Sequence, residues 1–186
     1  AASSRRGQDG SKNTSAATTM MTGNIPMRGG AMASLAIDGR PQPEGRLPEV
    51  GYQPASDNLF KAMGVPLKRG RAFGPQDHEK APPVVILSES LARTFSPNGD
   101  PIGSRVRLGP NPNDPWMTVV GIVSDVRMGV DGESRPTAYV SARQDHWGGM
   151  AIVMRTTTDP MSMLPAVRRE VRAIDATIPV ADAHSM

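Results

Sequence analysis

The chain has 186 residues, 38% apolar and 21% charged, with a net charge of +3, 19 Gly, 18 Pro and no Cys. That size allows one domain, or two small lobes sharing a core, and the missing Cys excludes disulfides, thiol catalysis and thiolate metal sites. No run of about 18 apolar residues occurs, so no helical membrane span is expected, and the cations are dispersed, with no Lys/Arg run longer than Arg5-Arg6 or Arg168-Arg169, which argues against nucleic-acid binding.

Residues 1–24 are rich in Ser, Thr, Ala, Gly and Asn. They carry too few large side chains to offset the entropy of ordering, and a mobile arm is expected. Ile25 to Gly30 is turn-rich, and Met32–Ile37 alternates as a short strand ending at Asp38-Gly39. A proline-spaced loop follows, Arg40 to Pro48, and then a second strand, Glu49 to Gln53, stopped by Pro54. Ser56 can cap a short helix carrying Leu59, Phe60 and Met63, with Gly64 as its left-handed terminator.

Val65–Phe73 reads as extended and turn-like, and Asp77 can order the loop after Phe73 by accepting backbone hydrogen bonds. Val84–Leu87 is a buried strand, and Ser88 caps a helix with Leu91, Ala92 and Phe95 facing inward. Two turns, Asn98 to Gly103, precede Arg105–Leu108, an alternating strand expected to point both arginines at water. A loop from Gly109 to Pro115 then leads, as an antiparallel partner, into Trp116–Arg127 (WMTVVGIVSDVR), the most strongly patterned stretch of the chain. Its first part reads as buried on both faces, and 124–127 alternate as on a half-exposed strand.

Tyr139-Val140 and Met150–Arg155 supply further strands, separated by a polar loop with His146 and Trp147. Asp159-Pro160 opens a helical region whose regular part begins with Pro165 at its first position. Leu164, Val167, Val171 and Ile174 form its apolar stripe, opposite Arg168, Arg169, Glu170 and Arg172. Ile178-Pro179-Val180 reads as a short terminal strand. Strands mixed with separate helices and hairpin-length connections argue an α+β fold over a doubly wound parallel sheet.

Chemistry is sparse. A hydrolase would draw on Ser88 and His78, but no G-x-S-x-G turn is present, and a helix cap and a polar surface loop explain the two residues better. His78, His146 and His184 offer no zinc spacing, and Gly99 to Gly103 lacks the glycine and lysine placement of a phosphate loop. Asp125 and Arg127, two residues apart, suit either a partner contact or a local salt bridge that anchors a loop, the second being the commoner use. The twelve methionines are mostly core filling, with an adaptable binding surface as the alternative.

Taken as a series, several segments resemble the extracytoplasmic core domain of MacB-like and FtsX-like ABC transporter permeases. They are LFKAMGVPL from Leu59, Arg69-Gly70-Arg71-Ala72-Phe73 with Asp77, VVILSESLARTF from Val84, Gly99-Asp100-Pro101-Ile102-Gly103, and VVGIVSDVR from Val119. The closing Val167 to Asp175 and Ile178-Pro179-Val180 also fit, so the resemblance covers residues 25–186. Residues 1–24 match nothing in that family, and Pro165 interrupts a helix that is normally continuous there.

The resemblance implies a flexible arm, 1–24, and a porter-like α/β subdomain built from 25–80 and 149–186. A smaller mixed, mainly β subdomain, 81–148, is inserted between them. Gly70, Arg71, Phe73, Asp77, Asp100, Pro101, Gly103 and Gly121 are then fold-determining, with no catalytic, cofactor or metal site in this stretch. It implies a fragment cut between two membrane spans, on the periplasmic side of the inner membrane. ATP would be hydrolysed on a separate cytoplasmic domain or subunit, and membrane helices would carry the motion outward for export or mechanical signalling. The partners implied are the rest of the permease, the ATPase, a second permease copy and a periplasmic adaptor, with no nucleic acid. The rival reading is a free-standing extracytoplasmic peptide- or protein-binding module using Arg168, Arg169 and Arg172.

Overall fold

The computed structural model describes residues 17–22, 31–40, 47–96, 99–128, 133–145, 150–157 and 159–180. In chain order the elements are β1 (Ala17–Thr22), β2 (Ala31–Ile37), β3 (Glu49–Ala55), α1 (Leu59–Met63), β4 (Leu67–Gly70), β5 (Val84–Ser88) and α2 (Glu89–Phe95). There follow β6 (Arg105–Leu108), β7 (Trp116–Val123), β8 (Arg127–Met128), β9 (Glu133–Ser134), β10 (Thr137–Ser141) and β11 (Met150–Arg155). A 3₁₀ turn (Pro160–Met163) and α3 (Leu164–Ile174) complete the set. The described residues fall into two units, one within Ala17–Met154 and one within Arg155–Met186.

In the larger unit the seven-stranded sheet runs β4-β7-β5-β10-β3-β2-β6, and β6 also pairs with β7. The second pairing closes six strands into a small barrel. Strand β7 makes the closure possible because it is long: Trp116–Thr118 pair with β6, and Gly121–Val123 pair with β4. Closure leaves no free edge among the six, so the remaining edge belongs to β4, whose four residues are all exposed.

Alternation sorts the side chains. Leu35, Val50, Val85, Leu87, Val106, Leu108, Val119, Ala138 and Val140 meet inside with Leu91, Ala92 and Phe95 of α2. A barrel this narrow is filled by its own side chains. The opposite faces of β5 and β10, Val84, Ile86 and Tyr139, join Leu59, Phe60, Phe73 and Val123 in a second cluster, which Val153 of β11 completes. Phe60 stands edge-on to Tyr139 at 5.0 Å and lies 6.5 Å from Phe73.

The double burial of β7 has a specific cause. Its register with β5 slips so that Val85 faces Val119 while Ile86 faces Gly121. The extra residue, Val120, is a β-bulge that lets Val119 and Ile122 both reach the interior.

Several expectations are corrected. Strands on both sides of residue 80 share the sheet, through the parallel pairing of β3 with β10, so the boundary expected at 80 and 81 does not divide it. Part of the supposed arm, Ala17–Thr22, is a strand pairing with β11; its Thr and Met residues suit a strand, and a partner exists far along the chain. Pro54 does not stop β3. Gly51 and Ala55 direct their backbone groups at β10, so Pro54 turns its nitrogen to the other edge, where β2 has already ended at Ala31 opposite Tyr52.

Ser56 caps α1 through its carbonyl, which accepts from Leu59 N at 3.1 Å, and not through its hydroxyl. Strand β7 ends at Val123, so the half-exposed extension to Arg127 is absent, and Ile178-Pro179-Val180 is not a strand. Arg107 is buried, its guanidinium 5.1 Å over the Trp116 ring and donating to Pro112 O at 2.8 Å, because the 109–115 loop folds over it. His146, Trp147 and His184 lie outside the described residues.

Candidate functional site

Strand β5 runs from Val84 to Ser88 and leads directly into α2, whose apolar residues close that end of the barrel. The opposite end is open. There the start of β2, Tyr52 of β3, Val84, Leu108, Met117 and Val140 surround a cavity of about 440 Å³. Its wall is mainly apolar, and the charged residues lining it are Glu79, Asp114 and Asp145, all acidic.

Short polar bonds hold this mouth in shape. Tyr52 donates its hydroxyl to Asp145 at 2.8 Å. The Gln144 amide accepts from Val84 N at 3.1 Å and donates toward Pro82 O at 3.1 Å and His78 O at 3.2 Å, fastening the loop before β5 to the end of β10. Asp114 accepts from Asn111 N at 3.1 Å, and it lies so close to Gly109 that a Cβ there would meet it at 2.1 Å.

The loop forming one wall hangs on a buried ion pair. Arg71 donates both guanidinium nitrogens to Asp77 at 2.7 Å, and Gly74 N donates to the same carboxylate at 3.0 Å. Burial alone would raise the Asp77 carboxyl, but the Arg71 fork and the Gly74 N–H outweigh it and hold it below the ordinary carboxylate range. The backbone ordering expected of Asp77 is therefore present, with Arg71 as its counter-ion.

Arg71 reaches that place because two glycines meet. Gly70 pairs with Gly121. A Cβ on Gly70, at φ +71°, would lie 2.2 Å from Val120 O, and one on Gly121 would lie 2.3 Å from Arg71 O.

These features belong to a known domain. The family model of the MacB-like periplasmic core domain matches residues 8–174. The chain belongs to this family. It is 30% identical over 78 residues, 42% of its length, to the macrolide export ATP-binding/permease protein MacB of Mannheimia succiniciproducens, of whose length it spans 12%. Among solved structures it resembles the periplasmic region of MacB from Actinobacillus actinomycetemcomitans, with TM-score 0.55, 14% identity, and 84% and 83% of the two chains covered. It also resembles a putative permease domain from Porphyromonas gingivalis, with TM-score 0.52, 18% identity and coverage of 87% and 71%. The extracellular domain of the noncanonic ABC-type transporter YknZ from Gram-positive bacteria gives TM-score 0.50, 11% identity and coverage of 87% and 96%. The α+β class is thereby confirmed, and the domain is that of a transporter permease. Among the described residues no helix is long and apolar enough to cross a membrane.

Within this MacB-like domain most of the residues singled out from sequence are placed as structure. Phe73 is buried in the second cluster. Asp100 accepts from Ile102 N at 3.1 Å and pairs with Arg69, Pro101 is buried, and Gly103 takes φ +84° with its N–H on Val119 O. Asp125 accepts from Ser90 N at 2.9 Å and from Ser90 Oγ at 2.7 Å, with Arg93 at 3.6 Å, so it anchors the start of α2. Arg127 lies in β8, paired with Ser134, and shares no strand with Asp125. Ser88 Oγ accepts from Leu91 N and Thr137 N, while His78 is exposed, its Nδ1 accepting from Lys80 N at 3.3 Å.

In the smaller unit Asp159 accepts from Met161 N and Ser162 N and starts the helical region as expected. The arginines of α3 do not form one face. At 100° per residue Arg168 and Arg172 flank the apolar stripe, bordering a cavity of about 270 Å³ with residues 176–180, whereas Arg169 lies beside Glu170 at 3.3 Å.

The mouth was not visible in the sequence. Its lining comes one or two residues at a time from separate strand ends, and the nearest local signal is Gln144-Asp145 directly after β10.

Proposed function

We propose that this domain is the extracytoplasmic working part of an ABC export permease, moved by ATP hydrolysis on a separate cytoplasmic domain or subunit. The observation carrying the reading is the family match over residues 8–174. The relative from Mannheimia succiniciproducens is named for macrolide export, which favours export over signalling. A closed barrel supports it physically, since closure and dense packing make a body that moves as a unit when pulled. A second permease copy and a periplasmic adaptor complete the assembly in this reading.

The test uses the intact permease with its ATPase. Excising residues 17–154 while the membrane spans remain inserted should leave basal ATP hydrolysis and abolish efflux. Efflux at wild-type rates from that variant would refute the proposal.

A further inference from the structure

We infer that the open mouth of the barrel is a binding site for a cationic amphipathic molecule, one with a protonated or quaternary amine on an apolar body. The inference concerns occupancy of the mouth and stands independently of transport. At about 440 Å³ the cavity lies within the range of small-molecule sites, roughly 300–1,000 Å³. Its walls are set by barrel strands and by the Gln144 and Tyr52 hydrogen bonds, so little ordering is needed on binding.

The charge distribution selects the ligand. The chain as a whole carries +3, yet among the described residues the charged groups lining the mouth are three carboxylates, with no Lys or Arg. Asp145 keeps Tyr52 turned into the lining, which puts an aromatic ring beside a carboxylate, the pairing that suits an alkylated ammonium. Met32, 46% exposed, and Met117 add an adaptable apolar surface for the rest of the molecule. An anionic or strongly polar ligand would meet carboxylates without a counter-ion.

The experiment titrates octyltrimethylammonium, below micelle formation, into the full chain labelled with nitrogen-15 and follows amide shifts. Saturable shifts should concentrate at Ala31, Ala33, Tyr52, Met117 and Val140, and octyl sulfate should bind at least about tenfold more weakly. Glu79→Gln and Asp145→Asn should each weaken binding about threefold, the scale of an exposed ion pair. Asparagine at 145 can still accept from Tyr52, and Glu79 is exposed, so both variants should keep the wild-type spectral dispersion. Scattered or non-saturating shifts, equal binding of octyl sulfate, or unchanged affinity in the neutralised variants would each overturn the inference.

Discussion

Replacing Arg71 by Met removes the guanidinium fork while keeping most of the apolar stem, and it isolates the role of the Arg71–Asp77 pair. The Asp77 side chain is 3% exposed and that of Arg71 is 43% exposed. Without Arg71 the carboxylate keeps Gly74 N as its remaining printed donor and loses two contacts of 2.7 Å. Stripping a fully buried pair of one partner costs about 3–5 kcal/mol, and a charged hydrogen bond contributes about 1.5–3. Because water reaches the arginine side, the expected loss at pH 7 is about 2 kcal/mol, a drop in Tm of roughly 4–8 °C for a chain of this size.

The pH dependence has a definite sign. In the wild type the folded carboxyl lies below its ordinary value, so the pair's contribution is present above the unfolded pKa of about 3.9 and is lost as pH falls through the folded value. In Arg71→Met burial acts with much less opposition and the shift reverses. Its penalty is then largest at neutral pH and fades below about pH 4. Urea unfolding followed by circular dichroism at pH 7 and pH 4 measures this, and adding Asp77→Asn to Arg71→Met should recover part of the loss. A gap between wild type and variant that is the same at both pH values would refute the electrostatic reasoning.

Three further outcomes test the frame. Gly121→Ala should cost upwards of about 3 kcal/mol, since its Cβ meets the Arg71 carbonyl at 2.3 Å, whereas Gly103→Ala, with nothing within 4 Å, should cost only the left-handed strain of about 1–2 kcal/mol; urea midpoints separate them. Ser88→Ala removes both the α2 cap and the acceptor for Thr137 N at 2.9 Å, and a loss of about 2–3 kcal/mol is expected from the same measurement. Arg107→Ala should cost about 1–2 kcal/mol and alter tryptophan fluorescence, because the guanidinium leaves the Trp116 ring.

Much of the element order was legible because it is local. The run Val84–Leu87, the Ser88 cap, the Gly64 terminator at φ 69° and the Asp159-Pro160 start are each written within a few residues. Barrel closure was not, since it depends on β7 being long enough to pair with β6 by one half and β4 by the other. Arg107 misled because alternation fixes the face a residue points to and says nothing of a loop that later covers it. Asp125 misled in the same way: its partners Ser90 and Arg93 lie more than thirty positions earlier in the sequence. The mouth is the extreme case, a site with no motif because each strand contributes only its end.

The family motifs and the mouth are nevertheless one piece of architecture. Gly70 and Gly121 permit the close strand approach that sets Arg71, and Arg71 with Gly74 fixes Asp77. The Asp77 carbonyl then accepts from Ser141 Oγ at 3.2 Å at the end of β10, and the next residue, His78, offers its carbonyl to Gln144. Two residues further along from there the chain places Ala81 and Pro83 in the lining, with Glu79 just before them. A disturbance at Arg71 thus has a continuous covalent and hydrogen-bonded route to one wall of the cavity, so residues that look purely fold-determining also set the shape of the barrel's open end. Arg71→Met should accordingly shift the amides of Glu79, Ala81 and Gln144 in the unliganded domain while leaving those of Arg105 and Val106, on the far strand, in place; shifts confined to residues 70–77 would break that link.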